Sequence, residues 1–62
     1  MIGIKIKKNK ANDLRKILLK HSIIDLHAKI KREDDFVIIP VISTPDNDIL
    51  NGFEDYEIAI WL

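Results

Sequence analysis

Ile2-Gly3-Ile4-Lys5-Ile6-Lys7-Lys8-Asn9-Lys10-Ala11-Asn12-Asp13-Leu14 is the stretch that decides the fold, because its hydrophobic period changes from two to 3.6 within it. Residues 2–8 alternate strictly, with Ile2, Ile4 and Ile6 against Gly3, Lys5 and Lys7. That pattern predicts a strand with one buried face and places Lys5 and Lys7 together on the other. Asn9 is the expected N-cap of a following helix. Ala11, Leu14, Ile17, Leu18 and His21 then recur at helical spacing on one face, with Asn12, Asp13, Lys16 and Lys20 opposite. Lys16 and Lys20 are i,i+4 neighbours and share a patch. Leu19 lies off the apolar stripe and widens the face that helix buries. The helix is expected to end near Ser22, where β-branched Ile23-Ile24 and then Asp25 take over.

Working outward, residues 27–32 alternate again, with Ala28 and Ile30 against His27, Lys29 and Lys31. Glu33-Asp34-Asp35 reads as a polar turn. Phe36 to Ser43 is apolar on both faces and predicts a central strand. Pro40 cannot donate a ladder hydrogen bond, so it is expected at a bulge or with its nitrogen on an unpaired side. Thr44-Pro45-Asp46 carries helix-start signals and Asn51-Gly52 a stop, which predicts a second helix of two turns at most. Tyr56 to Leu62 alternates as a last strand. The order β-α-β-β-α-β predicts an α+β domain: a small, mostly antiparallel four-stranded sheet with helices on one face, ferredoxin-like or related.

Sixty-two residues make a single domain, 1–62. A domain of this size buries only roughly 60% of its unfolded surface, which leaves little material for a deep, water-excluding active site. The longest apolar run, Phe36 to Ile42, is far short of the roughly 20 residues a bilayer requires. No signal-peptide pattern opens the chain, and the absence of cysteine removes a disulfide framework and a thiolate metal site. A cytoplasmic protein without a membrane partner is the expectation. The abrupt apolar ending Ile60-Trp61-Leu62 suggests a domain excised from a longer protein.

The zero net charge conceals a division. All ten lysines and arginines fall in residues 1–32, where only Asp13 and Asp25 oppose them, so that half carries +8. Residues 33–62 hold eight acids and no base. Such asymmetry points to a charged partner for the basic half, with nucleic acid first among them; two halves attracting each other is the bland alternative. The candidate RNA-binding residues are Lys5, Lys7, Lys8, Lys10, Arg15, Lys16, Lys20, Lys29, Lys31 and Arg32. If the first two strands are neighbours, Lys5, Lys7, Lys29 and Lys31 form one patch, and the others extend it around an edge. Phe36, Phe53, Tyr56 and Trp61 all lie in the acidic half. The basic surface is therefore expected to lack aromatic stacking groups and to read backbone and shape instead of unpaired bases.

Other chemistry is thinly represented. His21, Asp25 and His27 superficially resemble metal-ligand spacing, but no regular element places all three on one face. Thr44 reads as a cap, and no hydroxyl sits in a nucleophile elbow. Two glycines do not make a phosphate-cradling loop. No catalytic residue, metal or cofactor is expected in this chain.

Ile4-Lys5-Ile6-Lys7-Lys8, the helix with Leu14-Arg15-Lys16-Ile17-Leu18 running into Ile23-Ile24-Asp25, Lys29-Ile30, Phe36-Val37-Ile38-Ile39-Pro40-Val41 and Asp48-Ile49-Leu50 follow one another in an order that resembles the N-terminal accessory domain of archaeal tRNA (guanine-37-N1)-methyltransferases. The likeness spans nearly the whole chain, and order and spacing carry it. The resemblance implies a tRNA-binding domain that touches the outer corner of the L-shaped tRNA. It also implies a catalytic domain in cis, using S-adenosylmethionine to methylate guanine 37. No catalytic residue of that family falls on this chain. A monomer is expected. The competing reading from the residues is a protein-interaction or small-ligand regulatory domain of ferredoxin-like type, with a dimer burying Trp61 and Leu62 as one form of it.

Overall fold

A computed structural model describes residues 2–61. The elements are β1 (Ile2–Lys7), α1 (Lys8–Lys20), β2 (Lys31–Arg32), β3 (Phe36–Val41) and β4 (Tyr56–Ile60). They form a four-stranded sheet in the order β2-β3-β1-β4, antiparallel at every pairing, with α1 as its helix. This is the α+β class read from the sequence. The strand order is that of two interleaved crossovers, each leaving the sheet and re-entering it two positions away, past one intervening strand.

Alternation along β1 decides the layers. Ile4 and Ile6 are buried on the face that meets Val37, Ile39 and Val41 of β3 and Ala11, Leu14 and Leu18 of α1, and Leu50 completes this core. β3 is central, as its two-sided apolar pattern predicts. Pro40 sits opposite Gly3 in unbroken register, without a bulge. Its carbonyl accepts the Asp25 N–H at 2.9 Å. In an antiparallel strand a residue's N and C=O point to the same side. The donor-less nitrogen therefore faces the 23–25 segment past the end of β2, on the side away from β1, so the β1–β3 ladder loses no bond.

α1 starts directly on β1. Lys7, extended at φ −62° and ψ 145°, is the N-cap, and no side chain caps the helix. Asn9, expected in that role, lies inside the first turn instead. The Lys8 N–H donates to the Asp35 carbonyl at 3.1 Å, tying the helix start to the β2–β3 turn. The C-terminus closes as read, by a Schellman arrangement. Ser22 takes the left-handed conformation at φ 56°. Its N–H donates to the Leu19 carbonyl, and that of Ile23 to the Leu18 carbonyl. Leu19 remains 41% exposed, so the buried stripe is narrower than expected.

Two elements differ from the sequence reading. The second strand holds two residues, not 27–32. Residues 23–25 already occupy the end of β3's edge, through an Ile24–Val41 bridge and an Ile42 N–H bond to the Ile23 carbonyl. The Asp25 carboxylate accepts the His27 N–H at 2.8 Å and turns the chain away there. The second helix is absent. Between Pro45 and Gly52 the chain makes turns, with Ile49 and Leu50 N–H groups both donating to the Asp46 carbonyl. Gly52 does stop this segment in the left-handed region, at φ 95°. Asp, Asn and Gly are poor helix formers, and a nucleus is costly, so one turn does not propagate. β4 ends at Ile60, and Leu62 lies outside the described residues.

Candidate nucleic-acid interface

Register fixes where the basic side chains stand. Lys31, Ile38, Lys5 and Glu57 form one row across the sheet, on the face opposite α1. β1 and β2 are not neighbours. β3 lies between them, so Lys5 and Lys31 start about 10 Å apart across two strand spacings. Lys7 stands on the same face, level with Phe36. Lys29 precedes β2 and belongs to no strand, so the four-lysine patch expected from alternation is reduced to Lys5, Lys7 and Lys31.

A second group gathers elsewhere. Lys8 and Arg15 of α1 and Arg32 of β2 line a shallow groove between helix and sheet, floored by Ala11, Ile30, Val37 and Ile39. Lys16 and Lys20 are exposed on α1. Lys10 and Lys7 stand across a depression from Glu54 and Asp55. The bases thus wrap around three sides of the domain instead of forming one plane. All of them except Lys5 are exposed. Lys5 and Glu33 form an ion pair at 3.2 Å, with side chains 30% and 49% exposed. A pair so accessible is worth less than about 1 kcal/mol. Exposure of the remaining bases leaves most of the basic half open to solvent.

The first turn of α1 adds to this field. It carries Lys8 and Lys10 and no acid against the positive end of the helix dipole. Local rules favour an acid there, so an external anion relieves an unfavourable arrangement.

The structure corrects the expectation about aromatics. Phe36 lies on the open face, with the Lys5 Nζ 4.9 Å from its ring centre. Trp61 lies there too, with the Lys31 Nζ 4.4 Å from its ring. Strand pairing joins residues some thirty positions apart, so segregation along the chain does not survive folding. Phe53 and Tyr56 instead pack against the core.

Among the described residues, no group of three or more His, Asp or Glu is placed to hold a metal ion, and Asp25 is engaged by the His27 backbone. No described helix is long and apolar enough to cross a membrane.

This fold recurs in a solved structure. No curated protein matches the chain. Among solved structures, that of aTrm5 in complex with tRNALeu matches with a TM-score of 0.79 at 23% identity, over 92% of this chain and 17% of that one. The chain therefore spans about a sixth of that relative, and the likeness shows a shared fold. The family model described as the tRNA methyltransferase 5 N-terminal domain matches residues 3–49, from the middle of β1 through the turns after β3. That match covers most of the chain, and the chain belongs to the tRNA methyltransferase 5 N-terminal domain family.

Proposed function

We propose that this domain binds tRNA at its outer corner on behalf of a catalytic domain in cis, which uses S-adenosylmethionine to methylate N1 of guanine 37. The reading takes the protein to be archaeal and cytoplasmic, and the domain to be monomeric and to hold no cofactor itself. The observation that carries it is the exposure of Lys7, Lys8, Lys10, Arg15, Lys16, Lys20, Lys29, Lys31 and Arg32 in a domain of this family. The structural neighbour is itself a tRNA complex. Exposed ammonium and guanidinium groups bind a phosphate backbone by releasing its counterions. A surface that wraps three sides suits a bent, folded RNA better than a straight strand. Tethering to a catalytic domain raises the effective concentration of an otherwise weak contact.

Titrating labelled folded tRNA at two salt concentrations tests this. With about four phosphate contacts, affinity is expected to fall roughly a hundredfold between 50 and 200 mM salt. Replacing Lys8, Arg15 and Arg32 together by glutamate is expected to abolish binding at 50 mM. No binding of the unaltered domain at 50 mM salt defeats the reading.

One observation favours protein interaction instead. On edge strand β4, Ile58 is 47% and Ile60 79% exposed, on the helix side of the sheet but beyond the part that α1 covers. An open apolar edge promotes strand-to-strand pairing. Light scattering across concentrations separates the two, and a concentration-independent monomer removes the self-association form.

A further inference from the structure

The hollows around this domain differ in charge. Those against Lys5, Lys7 and Lys10 are also lined by Glu33, Asp35, Glu54 or Asp55. The groove between α1 and β2 holds Lys8, Arg15 and Arg32 and, among the described residues, no carboxylate. Acids are as numerous as bases in the chain, so their exclusion from this groove is a matter of placement. Two registers set its walls. Arg32 stands level with Val37, on the helix side of the sheet. Lys8, Asn12 and Arg15 recur at i, i+4 and i+7 along α1, which puts the amide between two cations on the facing wall. Lys8 and Arg15 lie about 10 Å apart along the helix axis. Like charges gathered over an apolar floor repel one another, and an anion between them relieves that repulsion.

Resting on the tRNA-binding reading, we infer that this groove seats one ribose-phosphate unit of the RNA: Arg15 and Arg32 close on a phosphate from opposite walls, Lys8 meets the next phosphate, and Asn12 meets the ribose 2′-hydroxyl between them. The guanidinium fork matches phosphate oxygens bidentately. A carboxamide both donates and accepts, as a hydroxyl does. Size separates a polymer from a free molecule. At about 170 Å³ the groove is smaller than the roughly 300–1,000 Å³ of pockets that enclose a small ligand. It fits one unit of a chain that continues beyond both ends. Among the described residues no aromatic side chain lines it, so a base has no stacking partner there. The site therefore reads the sugar-phosphate backbone and distinguishes RNA from DNA without reading sequence.

Labelled folded tRNA and an all-deoxy strand of the same sequence are titrated with the domain between about 50 and 200 mM salt, and anisotropy reads the binding. Arg15→Gln together with Arg32→Gln is expected to weaken tRNA binding about tenfold at the lowest salt and to lower the salt slope by about one, the share of one phosphate. Lys16→Gln together with Lys20→Gln removes the same charge from α1 outside the groove and is expected to cost no more than about threefold. The deoxy strand is expected to bind the unaltered domain about fivefold more weakly than tRNA, and Asn12→Ala to shrink that difference below about twofold by weakening tRNA binding alone. Equal losses from the two charge pairs, no preference for RNA, or a preference that Asn12→Ala leaves intact, overturn the inference and leave the tRNA reading standing. Absence of tRNA binding by the unaltered domain removes both. Circular dichroism checks folding. Should the arginine pair fail to fold, the Asn12 comparison decides alone, since alanine is the better helix former.

Discussion

The two crossovers of this domain perform the same topological task by different means. The first, from β1 to β2, carries a 13-residue helix whose Ala11, Leu14 and Leu18 enter the core. The second, from β3 to β4, has turns where a helix would lie, and it buries Pro45 and Leu50. The first covers β1 and β3. The second leaves Ile58 and Ile60 of β4 open on the same side of the sheet. A connection does not need a helix to return the chain to the sheet, but it needs one to cover the strand it reaches. Stability is therefore concentrated in α1, β1 and β3, and the second crossover with β4 is the looser part.

The sharpest way to break that comparison is to cut one leucine from each crossover. Leu18→Ala empties a fully buried site and is expected to cost about 2–5 kcal/mol. Set against a total of roughly 3–9 kcal/mol for a chain of this length, that leaves the domain largely unfolded. Leu50→Ala is expected to cost about 2 kcal/mol, since turns close around a void more readily than a packed helix does. Urea unfolding measures both, and equal losses would erase the distinction.

The two glycines extend the contrast. Gly3→Ala drives a methyl into Ile38 and Trp61 and is expected to destabilise by about 1–3 kcal/mol. The clash outweighs the smaller gain from a stiffer unfolded chain. At Gly52 an added Cβ meets nothing within 4 Å, so Gly52→Ala pays only for its φ of 95°. A loss of about 1 kcal/mol in thermal or urea unfolding is expected there. The smallest effect belongs to the uncovered strand: Ile60→Thr keeps β-propensity at a site 79% exposed and should change stability by no more than about 0.5 kcal/mol. A larger loss would mean that β4 is covered in solution.

What was legible in the sequence was local. β1 and α1 follow from two periodicities that need no knowledge of the partner, and the helix stop near Ser22 follows from the β-branched pair after it. The second helix fails because a start signal and a stop signal do not make a helix when Asp46, Asn47 and Asp48 fill the space between them. β2 is short for a reason outside itself, because residues 23–25 already hold part of β3's edge. Of the candidate RNA-binding residues, the exposed bases were named from charge alone. Trp61 and Phe36 were missed because the division of charge along the chain suggested a division in space. The alternation of Tyr56 to Trp61 against that of Ile2 to Lys7 was the signal that would have found Trp61, once the two strands were taken as paired.

Sequence alone determined the α+β class, the central place of β3 and the uneven charge of the two halves, since these depend on side-chain period and composition within single segments. Tertiary structure decided which residues share a surface. Antiparallel pairing aligns chain segments by hydrogen-bond register, and register is a relation between segments that neither contains by itself.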